Sequence, residues 1–357
     1  MMFSETLVHY RNLLSVLVKD WRRYRRALIG RDASYLELCN RYERLEAAPD
    51  GKGYRCDWQW TSDLHAPKFL PSLGLRLMRR ALADHPIGRA SAPENNAQQP
   101  DISFVIGHRG LDRLAQLLAA LESIAAQRNL VFECIVVEQS VLPEIKESLP
   151  DWVRYVHAPP PHPDAPYCRA LAFNCGAALA RGDVLVFHDN DLLVPQGYAS
   201  EITKRFAEGY DVINLKRFIF YLSSAHSQRV CVSGALDFNE APESIMQNAQ
   251  GGGSLAISRD AYLAIGGFDE SFVGWGGEDN EFWERAQTRN VWPYGYMPLV
   301  HLWHEAQPGK FERERETAAL HESRSAVPVE KRIAELKAQN FGCEVGRSAD
   351  TATMASV

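Results

Sequence analysis

Val184-Leu185-Val186-Phe187-His188-Asp189-Asn190-Asp191 is an apolar run that ends in two carboxylates one residue apart. A buried strand surfacing at its carboxyl end would present Asp189 and Asp191 together, and such a pair is suited to a hard cation. The flanking sequence supplies the rest of a sheet. Ile102-Ser103-Phe104-Val105-Ile106 is a short apolar strand, and Leu111 to Ala126 carries apolar residues at helical spacing. Phe132 to Glu138 reads as a second strand, Pro143 to Leu149 as a helix, and Val153 to Val156 as a third strand. Continuous apolar strands alternating with helices predict an α/β fold, its parallel sheet covered on both faces. Ligands of such sheets bind beyond the carboxyl ends of the strands. His108-Arg109, Glu138-Gln139 and His188 to Asp191 all fall there.

A second group of acids follows downstream in Gly274-Trp275-Gly276-Gly277-Glu278-Asp279-Asn280-Glu281, just before the helical pattern Phe282-Trp283-Glu284-Arg285-Ala286. A Gly-rich turn, an aromatic ring able to stack on a sugar and a carboxylate able to take a hydroxyl proton are neighbours here. Acids are also favoured at a helix N-terminus by the dipole, but that does not account for the Gly-Trp-Gly-Gly before them. The glycines give the loop the hinge freedom of a lid.

The two segments resemble the Asp-x-Asp and Trp-Gly-Gly-Glu-Asp motifs of nucleotide-sugar glycosyltransferases with the GT-A fold. The likeness is to β-1,4-galactosyltransferases and to the galactosaminyl-transferring modules of bacterial chondroitin-type polymerases. It runs in order from residue 101 to residue 310, through Ile102 to Arg109, Gln127 to Leu130, Arg169 to Gly176, Gly252 to Ser258, Gly266 to Asp269 and His304 to Lys310. The resemblance implies a Rossmann-like, mixed but mostly parallel sheet flanked by helices, with a helical N-terminal extension. It also implies a metal-dependent, inverting transfer from a UDP-sugar, with Mn2+ or Mg2+ as cofactor.

Chemistry and resemblance together assign the candidate residues. A nucleoside diphosphate is anionic, so a carboxylate pair holds it only through a divalent cation. Asp191 is the expected metal ligand, and Asp189 meets the ribose, the metal or its water shell. His304 is the expected third ligand, because Gln307-Pro308-Gly309-Lys310 after it resembles the polymerase modules. His301 is the alternative, and with His304 as ligand it would point the other way. Arg169 and Arg109 are expected at the donor, Arg169 beside the diphosphate and Arg109 near the uracil or diphosphate. Gly107 and His108 replace the family's usual Pro and aromatic residue before Arg109. Gly252 and Gly253, with Gly251, would let backbone approach the donor sugar. Displacement at the sugar carbon needs a deprotonated acceptor hydroxyl. Asp279 is the expected base, Glu278 a neighbouring catalytic and acceptor-binding acid, and Trp275 the stacking ring. Asn174 and Gly176 are open between a functional role and helix packing.

The chain of 357 residues is long enough for one large domain plus accessory segments, divided here as 1–100, 101–315 and 316–357. Its net charge of −6 argues against a nucleic-acid binder. Residues 1–100 hold 16 Lys and Arg against 11 Asp and Glu, net +5, which leaves −11 for the remainder. The seven cysteines show no metal-ribbon spacing and read as small core residues in a reducing compartment. No hydrophobic run approaches 18 residues and no cleavable signal pattern stands at Met1. The expectation is a cytoplasmic, bacterial enzyme of surface-polysaccharide or lipid-linked glycan synthesis. Residues 5–28 predict a helix ending in Trp21-Arg22-Arg23-Tyr24-Arg25-Arg26, either interfacial on anionic lipid or packed with its arginines solvated. A second helix is expected over Ser34 to Ala47 before the turn Pro49-Asp50-Gly51, and Ile87 to Pro100 reads as a linker. Two further functions compete with glycosyl transfer. A nucleotidyltransferase would share the Asp pair but release pyrophosphate, and a catalytically silent sugar-binding module would have no use for the acids and histidines.

Overall fold

The Asp-rich strand lies inside a seven-stranded sheet in a computed structural model that describes residues 11, 14–30, 32–58, 61–94, 99–234, 236–248, 251–306 and 310–339. The described strands are β1 (Leu45–Ala47), β2 (Tyr54–Cys56), β3 (Ser62–Asp63), β4 (Ile102–His108), β5 (Phe132–Glu138), β6 (Arg154–His157) and β7 (Val184–His188). They continue as β8 (Leu192–Leu193), β9 (Val212–Ile213), β10 (Lys216–Tyr221), β11 (Ser244–Gln247), β12 (Ser254–Ser258), β13 (Val291–Trp292) and β14 (Met297–His301). The large sheet has the order β13-β9-β12-β7-β4-β5-β6. β7, β4, β5 and β6 are mutually parallel, whereas β12 runs antiparallel to both β7 and β9. The alternating pattern predicted the parallel part of this α/β sheet, and its mixed, mostly parallel character is the one the resemblance implied.

Period-two alternation divides the sheet's side chains between two cores. Phe104, Ile106, Cys134, Val136, Val184 and Val186 face the layer containing the helix Leu114–Ala125, and Val105, Ile135, Val137, Leu185 and Phe187 face that of Arg169–Leu179. Gly176 belongs to this packing, because a Cβ there would collide with Val105. Asn174 is structural in the same way: its amide donates to Phe268 O at 3.0 Å and to Glu270 Oε1 at 2.7 Å.

A second sheet, ordered β3-β11-β10-β14-β8, stands beside the first. Its β14–β8 pairing sets His301 opposite Leu192, and Leu302 N–H donates to Asp191 O at 2.8 Å. Register alone therefore returns the downstream histidines to the Asp-rich loop. β3 enters this sheet from the N-terminal region, so that region is tied to later strands by backbone pairing.

Two expected helices are replaced by shorter turns. Over Ser34 to Ala47 only a 3-10 turn forms at Ala33–Glu37, followed by β1. Buried Arg217 donates to Leu36 O at 2.8 Å and Leu38 O at 2.5 Å, occupying carbonyls that a continued helix would use. Over Pro143 to Leu149 only Lys146–Ser148 turns. There the Glu138 carboxylate accepts Glu144 N–H at 3.0 Å and Ile145 N–H at 3.4 Å, holding the segment against the end of β5. The described N-terminal region contains the helices Trp21–Ile29, His65–Phe69 and Pro71–Asp84, with residues 14–19 helical ahead of the first. The expected linker has no helix or strand in its described part, which is packed: Ala90 N–H donates to Glu122 O at 3.0 Å and Trp152 Nε1–H to Ser91 O at 3.0 Å. Residues 5–10, 12 and 13 of the expected first helix, residues 95–98 of the linker and the tail 340–357 lie outside the described residues.

Behind the acid-bearing helix Glu278–Ala286 is a buried ion network. Glu281 and Arg285 are both fully buried and pair at 2.6 Å, while Arg332, from helix Val329–Ala338, reaches Glu281 at 3.2 Å and Glu284 at 2.9 Å. Arg285 also donates to Ile265 O and Gly267 O, each at 2.6 Å. Removing one member of a buried pair leaves a charge poorly compensated and costs about 3–5 kcal/mol. Arg285→Met should lose that much in denaturant unfolding. A loss below about 1 kcal/mol would mean that Arg332 alone neutralises Glu281.

Candidate active site

β4, β5 and β7 end together, since His108 pairs with Glu138 and Ile106 with His188. The loop after β7 is held from beneath. His108 is buried, its Nδ1 lies 2.8 Å from the Asn190 amide and its Nε2 lies 2.8 Å from Gly110 O. The residue in the expected aromatic place thus supports the Asp-Asn-Asp loop from below. Asp189 N–H donates to Gly253 O at 2.8 Å, which fixes the first carboxylate against β12.

Asp191 forms a cluster with both histidines. Its Oδ1 lies 3.6 Å from His301 Nε2 and its Oδ2 3.2 Å from His304 Nε2. His301 was expected to point away once His304 took the ligand position; instead the β14–β8 register turns it inward. It stacks on Tyr221 with ring centroids 4.2 Å apart. His304 Nδ1 lies 2.9 Å from Glu305 O; a carbonyl can only accept, so Nδ1 carries a proton and Nε2 is the ring atom turned to Asp191. Burial opposes the Asp191 carboxylate, but His301, His304 and Arg113 outweigh it and hold the group below the ordinary carboxylate range. Asp191 Oδ1 is buried without a hydrogen-bond partner, and one ligand atom from each of the three residues falls within 4.8 Å of the others. One hard oxygen and two imidazole nitrogens with an unsatisfied lone pair between them fit a divalent transition ion such as Mn2+.

The second cluster is organised by Arg169 at the start of helix Arg169–Leu179. Its guanidinium pairs with Asp189, with Glu278 Oε1 at 3.1 Å and with Asp279 Oδ1 at 2.6 Å. Three carboxylates from two distant segments thus share one cation. Arg169 also lies over the Phe173 ring at 4.6 Å. Glu278 is nearly buried, with a side chain 8% exposed against 24% for Asp279. Asp279 is therefore the acid open to an incoming group.

The glycines serve this cluster too. A Cβ on Gly251 would collide with the Asp279 carbonyl, and one on Gly252 would lie 3.2 Å from Asp279 Oδ2. Bare backbone was expected to admit the donor sugar; in the structure it admits Asp279. Gly253, at φ +85°, lies beside Leu192. In the acidic loop Gly274, Gly276 and Gly277 all have positive φ, and Trp275 is 47% exposed at its tip. Buried Thr317, on helix Lys310–Ser325, donates to Trp275 O at 2.8 Å. Arg109 stands apart from both clusters and donates to Ala165 O at 2.8 Å. The Gln307-Pro308-Gly309 part of the sequence match lies outside the described residues.

Three residues here were not singled out in the sequence. Arg113 reaches Asp191 Oδ2 at 3.4 Å, Thr317 holds the Trp loop, and buried Lys216 donates to Ser254 O. Burial pushes Lys216 down to about 7 although Asp279 and Asp189 pull it up. Its signal was a lysine at the head of the apolar run Phe218-Ile219-Phe220. Arg113 and Thr317 stand in helical patterns where nothing distinguishes them from surface residues.

Known proteins match on both sides of the site. Residues 111–232 match Glycosyl transferase family 2, and residues 241–293 match a domain described as the N-terminal domain of galactosyltransferase. The first spans Arg169, Asp189 and Asp191, the second Glu278 and Asp279. The chain is a glycosyltransferase. Among solved structures it is similar to the catalytic domain of Drosophila β1,4-galactosyltransferase 7 in complex with xylobiose, at 15% identity and TM-score 0.34, covering 54% of this chain and 63% of that one. It is also similar to mannosyltransferase PcManGT of Pyrobaculum calidifontis in complex with GDP-Man and Mn2+, at 16% identity and TM-score 0.43, over 81% and 83% of the two chains. Glucosyl-3-phosphoglycerate synthase of Mycobacterium tuberculosis, in complex with Mn2+, UDP and glucosyl-3-phosphoglycerate, matches at 17% identity and TM-score 0.40, over 64% and 81% of the two chains.

The Arg169 cluster makes one titration distinctive. Burial, with Asp279 beside it, pushes Glu278 up from 4.5 to about 7 against the pull of Arg169. The folded enzyme then keeps a proton that the unfolded chain has released, so this carboxyl makes stability fall as pH rises from 4.5 towards 7. Glu278→Gln removes the titration. Its melting temperature relative to the natural protein should therefore climb across that window and level off above it. Parallel melting curves against pH for the two proteins would refute the assignment.

Proposed function

We propose that the enzyme is a metal-dependent, inverting glycosyltransferase that moves a hexose or N-acetylhexosamine from a UDP-sugar to a hydroxyl of a glycan or glycolipid. The observation that carries this reading is the placement of Asp279 on the Arg169 guanidinium that also holds Asp189, beside the Asp191, His301 and His304 cluster. A base and a diphosphate site are then a single arrangement.

Asp191, His301 and His304 would hold the divalent cation, which supplies neutralisation of the departing diphosphate. The other roles belong to the chain itself. Arg169 and Arg113 add positive charge along the same edge. Asp279, the more open acid, accepts the proton of the acceptor hydroxyl, while Glu278 binds the acceptor beside it. Trp275 offers an exposed face on which the acceptor sugar stacks. Attack from the side opposite the diphosphate inverts the anomeric carbon. Synthesis of bacterial surface polysaccharide by a cytoplasmic enzyme at the inner face of the membrane is the setting we infer for this chemistry.

Two expected outcomes test the reading. In a screen of nucleotide sugars with Mn2+, release of nucleoside diphosphate should require acceptor and should stop in excess chelator. Asp191→Ala, His301→Ala and His304→Ala should each weaken metal-dependent UDP binding while preserving the melting transition. Pyrophosphate as the released product would instead indicate nucleotidyl transfer.

Asp279→Asn keeps the size of the side chain and removes its basicity. General-base contributions run to about 10²–10⁴-fold, and transfer should fall by at least that range with UDP binding nearly unchanged. Survival of most activity would move the base to another residue.

A further inference from the structure

The segment carrying the basic cluster packs through one face only. Val16, Tyr24 and Ala27 are buried. Helical bonding continues through Asp20, whose N–H donates to Val16 O at 2.9 Å and whose carbonyl accepts Tyr24 N–H at 3.0 Å. Asp20, at φ −109°, is a turn between the helical runs 14–19 and Trp21–Ile29, and these two bonds keep the runs approximately in phase. In that phase Leu14, Val18, Trp21 and Arg25 stand at i, i+4, i+7 and i+11, a single stripe. It lies on the side away from the buried residues.

That outward face is apolar where a surface helix is ordinarily polar. Leu14 is 61% exposed, Val18 81%, Trp21 46% and Ile29 69%, with Leu17 beside them. The cations gather along one border. Arg22, Arg25 and Arg26, with Ile29 and Gly30, line a shallow surface depression. Arg23 turns inward to donate to Cys39 O at 3.3 Å, and Arg26 is paired with Glu37 at 2.5 Å. Arg22 and Arg25 have no ion pair among the described residues and are exposed. Contact with the rest of the chain thus uses the opposite face and leaves the stripe outward. Among the described residues no helix is long and apolar enough to cross a membrane.

We propose that this face is a docking surface for an anionic lipid bilayer, with the helix lying in the interfacial plane. Charge complementarity selects the occupant. Guanidinium groups beside an apolar stripe match phosphate headgroups above an acyl boundary. An indole at the border belongs at that level.

Co-sedimentation of the full-length protein with phosphatidylcholine vesicles, with and without phosphatidylglycerol, tests the proposal across a salt series. Binding should need the anionic lipid and fall steeply with salt. Each basic residue near such a surface is worth about fivefold in affinity, so Arg22→Gln with Arg25→Gln should weaken binding about 25-fold. Val18→Asp with Trp21→Ser should also weaken it, with the melting temperature unchanged in both variants. Indifference of the natural protein to anionic vesicles at low salt overturns the proposal, as does equal binding by the variants. Light scattering that shows a dimer lost in Val18→Asp, with vesicle binding retained, would assign the face to a second copy of the chain.

Discussion

One guanidinium makes the site possible. Asp189, Glu278 and Asp279 come from segments far apart in the chain, and each would repel the others on being brought together away from water. Arg169 receives all three. Its own burial is costly and is offset only by that charge, so the cation and the acids require one another. The arrangement joins Asp189, in the loop after β7, to the acid-bearing helix Glu278–Ala286.

The same constraint explains the construction around it. The acids are drawn onto Arg169 only because Gly251 and Gly252 leave no side chain between β12 and Asp279. The helix bearing them is anchored on its far side by the Glu281, Arg285 and Arg332 network, so its first turn is held in place from behind. Thr317 holds the backbone of the Trp loop, which leaves the indole as its exposed part.

Asp191 is held by a different logic. It is the meeting point of the two sheets, because the pairing of β14 with β8 carries His301 to it and the next residues carry His304. Two imidazoles and Arg113 stabilise its charge before any cation arrives. The metal cluster and the Arg169 cluster are thus neighbours that share the Asp-Asn-Asp loop and divide its two acids between them.

The sequence by itself determined the alternating strands of the parallel sheet, the edge where they end and the two acidic segments, because burial on both faces and a carboxylate at a strand end leave local patterns. The family resemblance, rather than any local pattern, singled out Asp191, His304 and Asp279, of which the first two meet in one cluster. Local pattern misread Ser34 to Ala47 and Pro143 to Leu149 as helices, since helical periodicity cannot register that Arg217 or Glu138 will take the backbone groups of those stretches. Only the tertiary structure decided that His301 joins His304, through strand register, and that Arg169 bridges the acids. It alone revealed Arg113, Lys216 and Thr317. Those assignments depend on contacts between residues distant in the chain, and no local period or spacing encodes which distant charge a side chain will meet.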